Sequence, residues 1–148
     1  MRDLRQRRLP CASPATSTRL RTSVRMRAAS SPLALLHHAL ERGSLIQAEA
    51  AARECGRLEL QDALRLVLLF LRKRDGRYER AAIKWLGRVL AEHPAIGFEH
   101  AEDAVGALKA LGGPYGNVAR ARLAMALRAV DEVSAAQVVE RGAADEPL

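Results

Sequence analysis

Six consecutive apolar residues, 66–71, stand inside the stretch "LQDALRLVLLFLR" at positions 60–72. On a helix, six in a row cover every side, and a helix that is apolar all round has to be enclosed by other elements. Counted from Leu64 the stretch is eight residues long, whereas crossing a bilayer takes ~20. The chain must therefore supply amphipathic helices to surround this one, and a membrane span is not expected. At 148 residues it can do so within one domain. Aromatic residues make up only 3% of the chain and hydrophobic residues 49%. The enclosing surfaces must then be Leu, Ala and Val on a background of strong helix formers, with few strand formers available. The fold class that follows is all-α.

Helix punctuation divides the chain into about six elements. Ser31-Pro32 has the form of N-cap and N1 for a first helix closed at Gly43. Ser44, with Gln47 three residues on, has the pattern of a capping box for a second helix that Gly56 ends. A third is expected over residues 60–75 with Gly76 at its end, and a fourth over 77–93, stopped by Pro94. A fifth covers 98–111 before "GGP", and a sixth starts after Asn117 as N-cap. The stretch "DEVSAAQVVERG" either prolongs the sixth or forms a short extra helix. Residues 142–148 read as a frayed tail, which leaves 32–141 as the helical domain.

Apolar spacing sets the expected packing. On the fourth helix Tyr78, Ala81, Ala82, Trp85, Leu86 and Val89 share one sector, which places the only tryptophan in the core. On the fifth, Phe98, Ala101, Val105 and Leu108 are expected to line one face. On the sixth, Ala119, Leu123, Leu127 and Val130 form a similar stripe. Short connections imply antiparallel neighbours, hence a single compact domain of three helical hairpins.

The net charge of +7 lies in one place. Residues 1–31 carry eight arginines against Asp3 alone, which accounts for the whole excess and leaves the remainder balanced. That arm is rich in Arg, Ser, Thr and Pro and has no apolar stripe, so it is read as disordered. The readings for it are a passive or mis-called extension with a start near Met26, a phosphate-binding arm, or a targeting segment. Within the helical domain, Arg72, Lys73, Arg74, Arg77, Arg80, Lys84 and Arg88 face only Asp75 and Glu79 nearby, a local +5. These seven are the candidate anion- or partner-binding residues. The competing reading is a solvated face, or pairing with the acidic fifth helix.

Two resemblances rest on the same region. "AIKWLGRVLAEHP" is similar to the second helix of a tetratricopeptide repeat. In "GRYERAAI", however, Gly and Tyr stand one residue too far upstream, and no second copy follows at a period of about 34 residues. The likeness therefore implies helical-hairpin packing and no repeat array. The longer stretch "LQDALRLVLLFLRKRDGRYERAAIKWLGRVLAE" resembles short all-helical actinobacterial proteins of no established activity, a likeness over roughly residues 33–130. It implies an all-α fold and transfers no functional residue. Abundant Ala, with Arg far outnumbering Lys, suits a bacterial source.

Chemistry is sparse. His37 and His38 are adjacent, so on a helix they point ~100° apart and cannot chelate one metal. His93 and His100 flank a proline turn without further ligands in view. Cys11 and Cys55 suggest no disulfide framework and a reducing, cytoplasmic setting. "LGGPYGNVA" lacks the Gly-Lys-Ser/Thr ending of a phosphate loop and reads as a helix connection. A helix-turn-helix over "AARECGRLELQDALRL" would need the apolar third helix in a groove, which its burial forbids. No catalytic, cofactor-binding or metal-ligating residue emerges. The expected function is a non-enzymatic helical adaptor binding an unknown protein partner. The alternative is a nucleic-acid-associated protein using the arm and the 72–88 patch.

Overall fold

The computed structural model describes residues 31–142. The basic arm, apart from Ser31, and the last six residues of the expected tail lie outside that range. Seven helices and no strand occur among the described residues: α1 Pro32–Glu41, α2 Leu45–Cys55, α3 Leu60–Arg72, α4 Tyr78–Glu92, α5 Phe98–Ala110, α6 Gly116–Arg128 and α7 Val133–Arg141. Helices adjacent in the chain pack on one another, and α3 also touches α1 and α7. No helix among the described residues is long and apolar enough to cross a membrane.

Helix ends show which local signals acted. Ser31 Oγ accepts from the Ala34 amide at 3.2 Å, with Pro32 opening α1. The end of α1 is a Schellman closure: Ser44 N donates to Ala39 O at 2.9 Å and Gly43 N to Leu40 O at 3.1 Å, with Gly43 at φ 65°. Because Ser44 completes that closure, it meets α2 with ψ at 98° and makes no side-chain cap bond, so the expected capping box does not form. The same closure ends α3 at Arg72, three residues before the expected limit. Asp75 N donates to Phe70 O and Arg74 N to Leu71 O, and Arg74 rather than Gly76 adopts the left-handed backbone, at φ 51°. Asp131, at φ 61°, separates α6 from α7, so the segment after α6 is a distinct helix. Asn117 is inside the first turn of α6, not its cap.

Two buried clusters meet on α3. Leu60, Leu64 and Val67 join residues of α4, α5, α6 and α7 in the larger one. Leu69, on another side of the same helix, joins Leu36 and Ala39 of α1 and Ala48 and Ala51 of α2 in the smaller one. The all-apolar run is therefore the wall between two packed units, as its enclosure requires. Trp85 is 3% exposed, and its Nε1 donates to Leu60 O at 3.0 Å, so the one polar atom of the indole is satisfied inside the core.

The face expected for α5 is corrected. Phe98 is 83% exposed and Val105 is exposed as well, while Ala104, Ala107 and Leu108 are buried. Alanines at a helix contact permit closer approach. Here they turn the small side chains of α5 inward, and Ala119, Leu123, Ala126 and Leu127 of α6 are buried with them in the larger cluster.

Candidate anion-binding cleft

Arginines from α3, α6, α7 and the α3–α4 link line a cleft of about 1070 Å³. Arg65 and Arg72, seven residues apart on α3, lie on nearly the same side of that helix, two turns apart. Arg74 comes from the residue whose left-handed backbone closes α3. Arg120 lies on α6, and Arg141 in the last turn of α7. His37, Leu40 and Glu41 bring α1 to the rim, and Gly112, Gly113 and Pro114 form part of the lining. The glycines of that link are there for space. A Cβ on Gly116 would fall 2.8 Å from Leu111 O, and one on Gly112 would fall 3.1 Å from Leu71 Cδ1. "LGGPYGNVA" is a mostly exposed helix connection on the edge of the cleft.

Three carboxylates share the lining with the five arginines: Glu41, Asp75 and Glu79. Asp75 is already committed to Arg77. Its Oδ1 accepts from the Arg77 backbone amide at 2.9 Å, and its Oδ2 from Arg77 Nη2 at 2.9 Å. The hydrogen bonds from Arg77 hold its carboxyl down at about 2. The excess of guanidinium groups favours anions, above all planar or tetrahedral oxyanions that accept two parallel N–H bonds.

One buried charge underlies this cleft. Asp62 is 3% exposed, the only buried charged residue among the described residues. Its Oδ1 meets His37 Nε2 at 3.0 Å and Arg65 Nη1 at 3.5 Å. The carboxylate thus ties α1 to α3 and orients two of the lining side chains. No grouping of three His, Cys, Asp or Glu residues suited to a metal occurs among the described residues.

The seven candidate residues read from the sequence divide into three sets. Arg72 and Arg74 line the cleft. Lys73 is exposed beside the Gly43 turn. Arg77 pairs with Asp75 and with Glu49 of α2 at 2.7 Å, and its guanidinium lies over the Phe70 ring, 4.9 Å from the centroid. Arg88 pairs with Glu92 at 2.6 Å and donates to Leu58 O. That bond to Arg88 is the main reason the Glu92 carboxyl is held below its ordinary range. Arg80 and Lys84 are exposed on α4. The seven therefore do not form one continuous stripe, because Arg77 and Arg88 are held by internal contacts. Nor is the acidic fifth helix their partner: Asp103 of α5 pairs with Arg122 of α6 at 2.5 Å.

Arg65, Arg120, Arg141, His37 and Asp62 are the residues that sequence reasoning missed. Apart from Asp62 and Arg65, which stand three residues apart on α3, their separations along the chain exceed any motif spacing. The one available signal was Asp62 itself, a carboxylate in the apolar stretch of a helix that must be buried, which requires a partner from elsewhere. No protein-family model, curated protein or solved structure matches the chain.

Proposed function

We propose that this protein is a non-enzymatic helical adaptor whose arginine-lined cleft holds an acidic segment of a partner protein. The observation that supports the reading is the convergence of Arg65, Arg72, Arg74, Arg120 and Arg141 on one cleft from separate elements. Guanidinium groups from α3, α6, α7 and the α3–α4 link thus gather where a carboxylate-rich chain can be held by paired N–H bonds. The scaffold is read as three helical hairpins, with α7 as an additional helix on the last. A single half-buried free cysteine among the described residues, Cys55, agrees with a reducing, cytoplasmic setting. Nucleic acid is the less favoured ligand. Binding to single strands uses exposed stacking aromatics, and the one aromatic lining this cleft, Tyr78, has its hydroxyl donated to Leu108 O at 2.7 Å.

Fluorescence anisotropy with a labelled oligoglutamate peptide tests this, with labelled single-stranded DNA of equal charge as the second arm. The peptide should bind, more weakly as salt rises. Reversing Arg72 and Arg74 to Glu should cost at least about tenfold in affinity, or ~1.4 kcal/mol. The Arg80→Glu/Lys84→Glu pair should leave binding nearly intact. DNA binding without peptide binding would move the assignment to the nucleic-acid reading. Equal binding by the cleft variant would remove the cleft from the function.

A further inference from the structure

We propose that His37 is a phosphoryl-acceptor side chain: its free ring nitrogen takes a phosphoryl group from an acyl phosphate, and the cleft arginines hold the transferred group. The proposal goes beyond partner binding, although it rests on the same cleft.

Hydrogen bonding defines the tautomer. An ionised carboxylate only accepts, so the contact between Asp62 Oδ1 and His37 Nε2 at 3.0 Å places the ring proton on Nε2. In the neutral form of the ring Nδ1 then carries the lone pair, and it makes no hydrogen bond among the described residues. The imidazole is 40% exposed and lines the cleft, while the carboxylate that fixes it is 4% exposed. A nucleophile held by a buried acceptor, in a cleft whose lining also carries guanidinium groups suited to phosphoryl oxygens, is the kind of arrangement that phosphoryl transfer to nitrogen uses.

The step balances without a further reagent. The Nδ1 lone pair attacks phosphorus, and the N–P bond forms as the P–O bond to the acyl group breaks. The acyl carboxylate departs with that electron pair. The proton on Nε2 stays in the hydrogen bond to Asp62, whose negative charge offsets the positive ring. The phosphoryl group brings its two negative charges into a lining where arginines outnumber carboxylates.

The other histidines serve as internal controls. His93 has the same kind of partner, Glu132 at 2.8 Å, but does not line the cleft. His38 and His100 are exposed and have no carboxylate partner among the described residues. Indiscriminate phosphorylation would reach these two first, since they are more accessible than His37. A carboxylate partner alone would make His93 the equal of His37.

The full chain is incubated with acetyl phosphate at neutral pH, and the product is mapped by mass spectrometry under alkaline conditions, because phosphohistidine is acid-labile. One phosphoryl group is expected, on His37, and it should be lost on acidification. His37→Gln should abolish it and His38→Gln should not. Asp62→Asn should slow labelling, because the amide can donate to the ring and no longer selects the tautomer. Should that buried change unfold the protein, Arg72→Gln with Arg74→Gln, at exposed positions, carries the comparison and should also slow labelling. An unlabelled wild type, or label on His38, His93 or His100 as readily as on His37, overturns the proposal. Labelling of His37 without oligoglutamate binding would remove only the partner reading, and the converse would remove only this one.

Discussion

Trp85 and Tyr78 sit one above the other in the apolar sector of α4, and they resist change for different reasons. Trp85 fills core space and donates its indole N–H to Leu60 O. Trp85→Ala should therefore cost ~3–5 kcal/mol in chemical denaturation, the range for a large aromatic removed from a core. In the wild type its emission should be blue-shifted and poorly quenched by iodide. Tyr78 is half-buried, and burial, with the charge of Glu79 adding to it, pushes its hydroxyl up to about 12 from an ordinary 10.0. A raised value in the folded state means that the neutral phenol is the form folding favours. The stability this contributes is fully present below pH 10 and is lost as pH rises towards 12. Tyr78→Phe should remove that component of the alkaline loss, measured as denaturation midpoints from neutral pH upwards against the wild type. Equal alkaline losses in the two proteins would show that Tyr78 does not drive it.

Helix ends and helix faces carry the next two predictions. Arg74 closes α3 in a left-handed conformation that disfavours side chains by ~1–2 kcal/mol. Glycine removes that penalty at an entropic cost of ~0.4–1 kcal/mol, so Arg74→Gly should gain up to ~1.5 kcal/mol. Because Arg74 lines the cleft, the same change should weaken oligoglutamate binding, which separates its two roles. On α4, Arg80 and Lys84 are exposed, whereas Arg88 reaches Leu58 O and Glu92. Arg80→Glu with Lys84→Glu should therefore alter stability by only ~0–1 kcal/mol. Arg88→Glu should cost clearly more, since it places a carboxylate against Glu92 and leaves Leu58 O without this donor. Equal effects in thermal denaturation would show that the Arg88 contacts contribute nothing.

For the whole molecule, the decisive feature is the unequal division of the core. The cluster joining α1, α2 and α3 has five buried residues, against twenty in the one spanning α3 to α7, among the described residues. Local opening free energy follows buried apolar contact. Amides of α1 and α2 should therefore exchange with solvent faster than those of α3 and α6 in native-state hydrogen exchange. Since His37 belongs to α1, Asp62→Asn should widen that gap by weakening the tie to α3, a charge-assisted bond becoming a neutral one. Uniform protection across the seven helices would mean that the two clusters open as one.

What the sequence by itself determined is periodic and local. The run at 66–71 required an enclosed helix, and the 3.6-residue spacing around Trp85 put the indole inside, because one helix face follows from one short stretch of chain. Ser31-Pro32, Gly43 and Gly56 located the start of α1 and the ends of α1 and α2 for the same reason. Where two helices meet, that logic fails: Phe98 and Val105 have the right spacing for a stripe, yet the alanines of α5 are buried with α6 because they allow closer contact. The cleft is further still from the reach of periodicity. His37 and Asp62 are 25 residues apart, and Arg65, Arg120 and Arg141 belong to three helices. Only tertiary packing decides which charged side chains share one space, because no local interaction distinguishes an arginine bound for that space from one facing solvent.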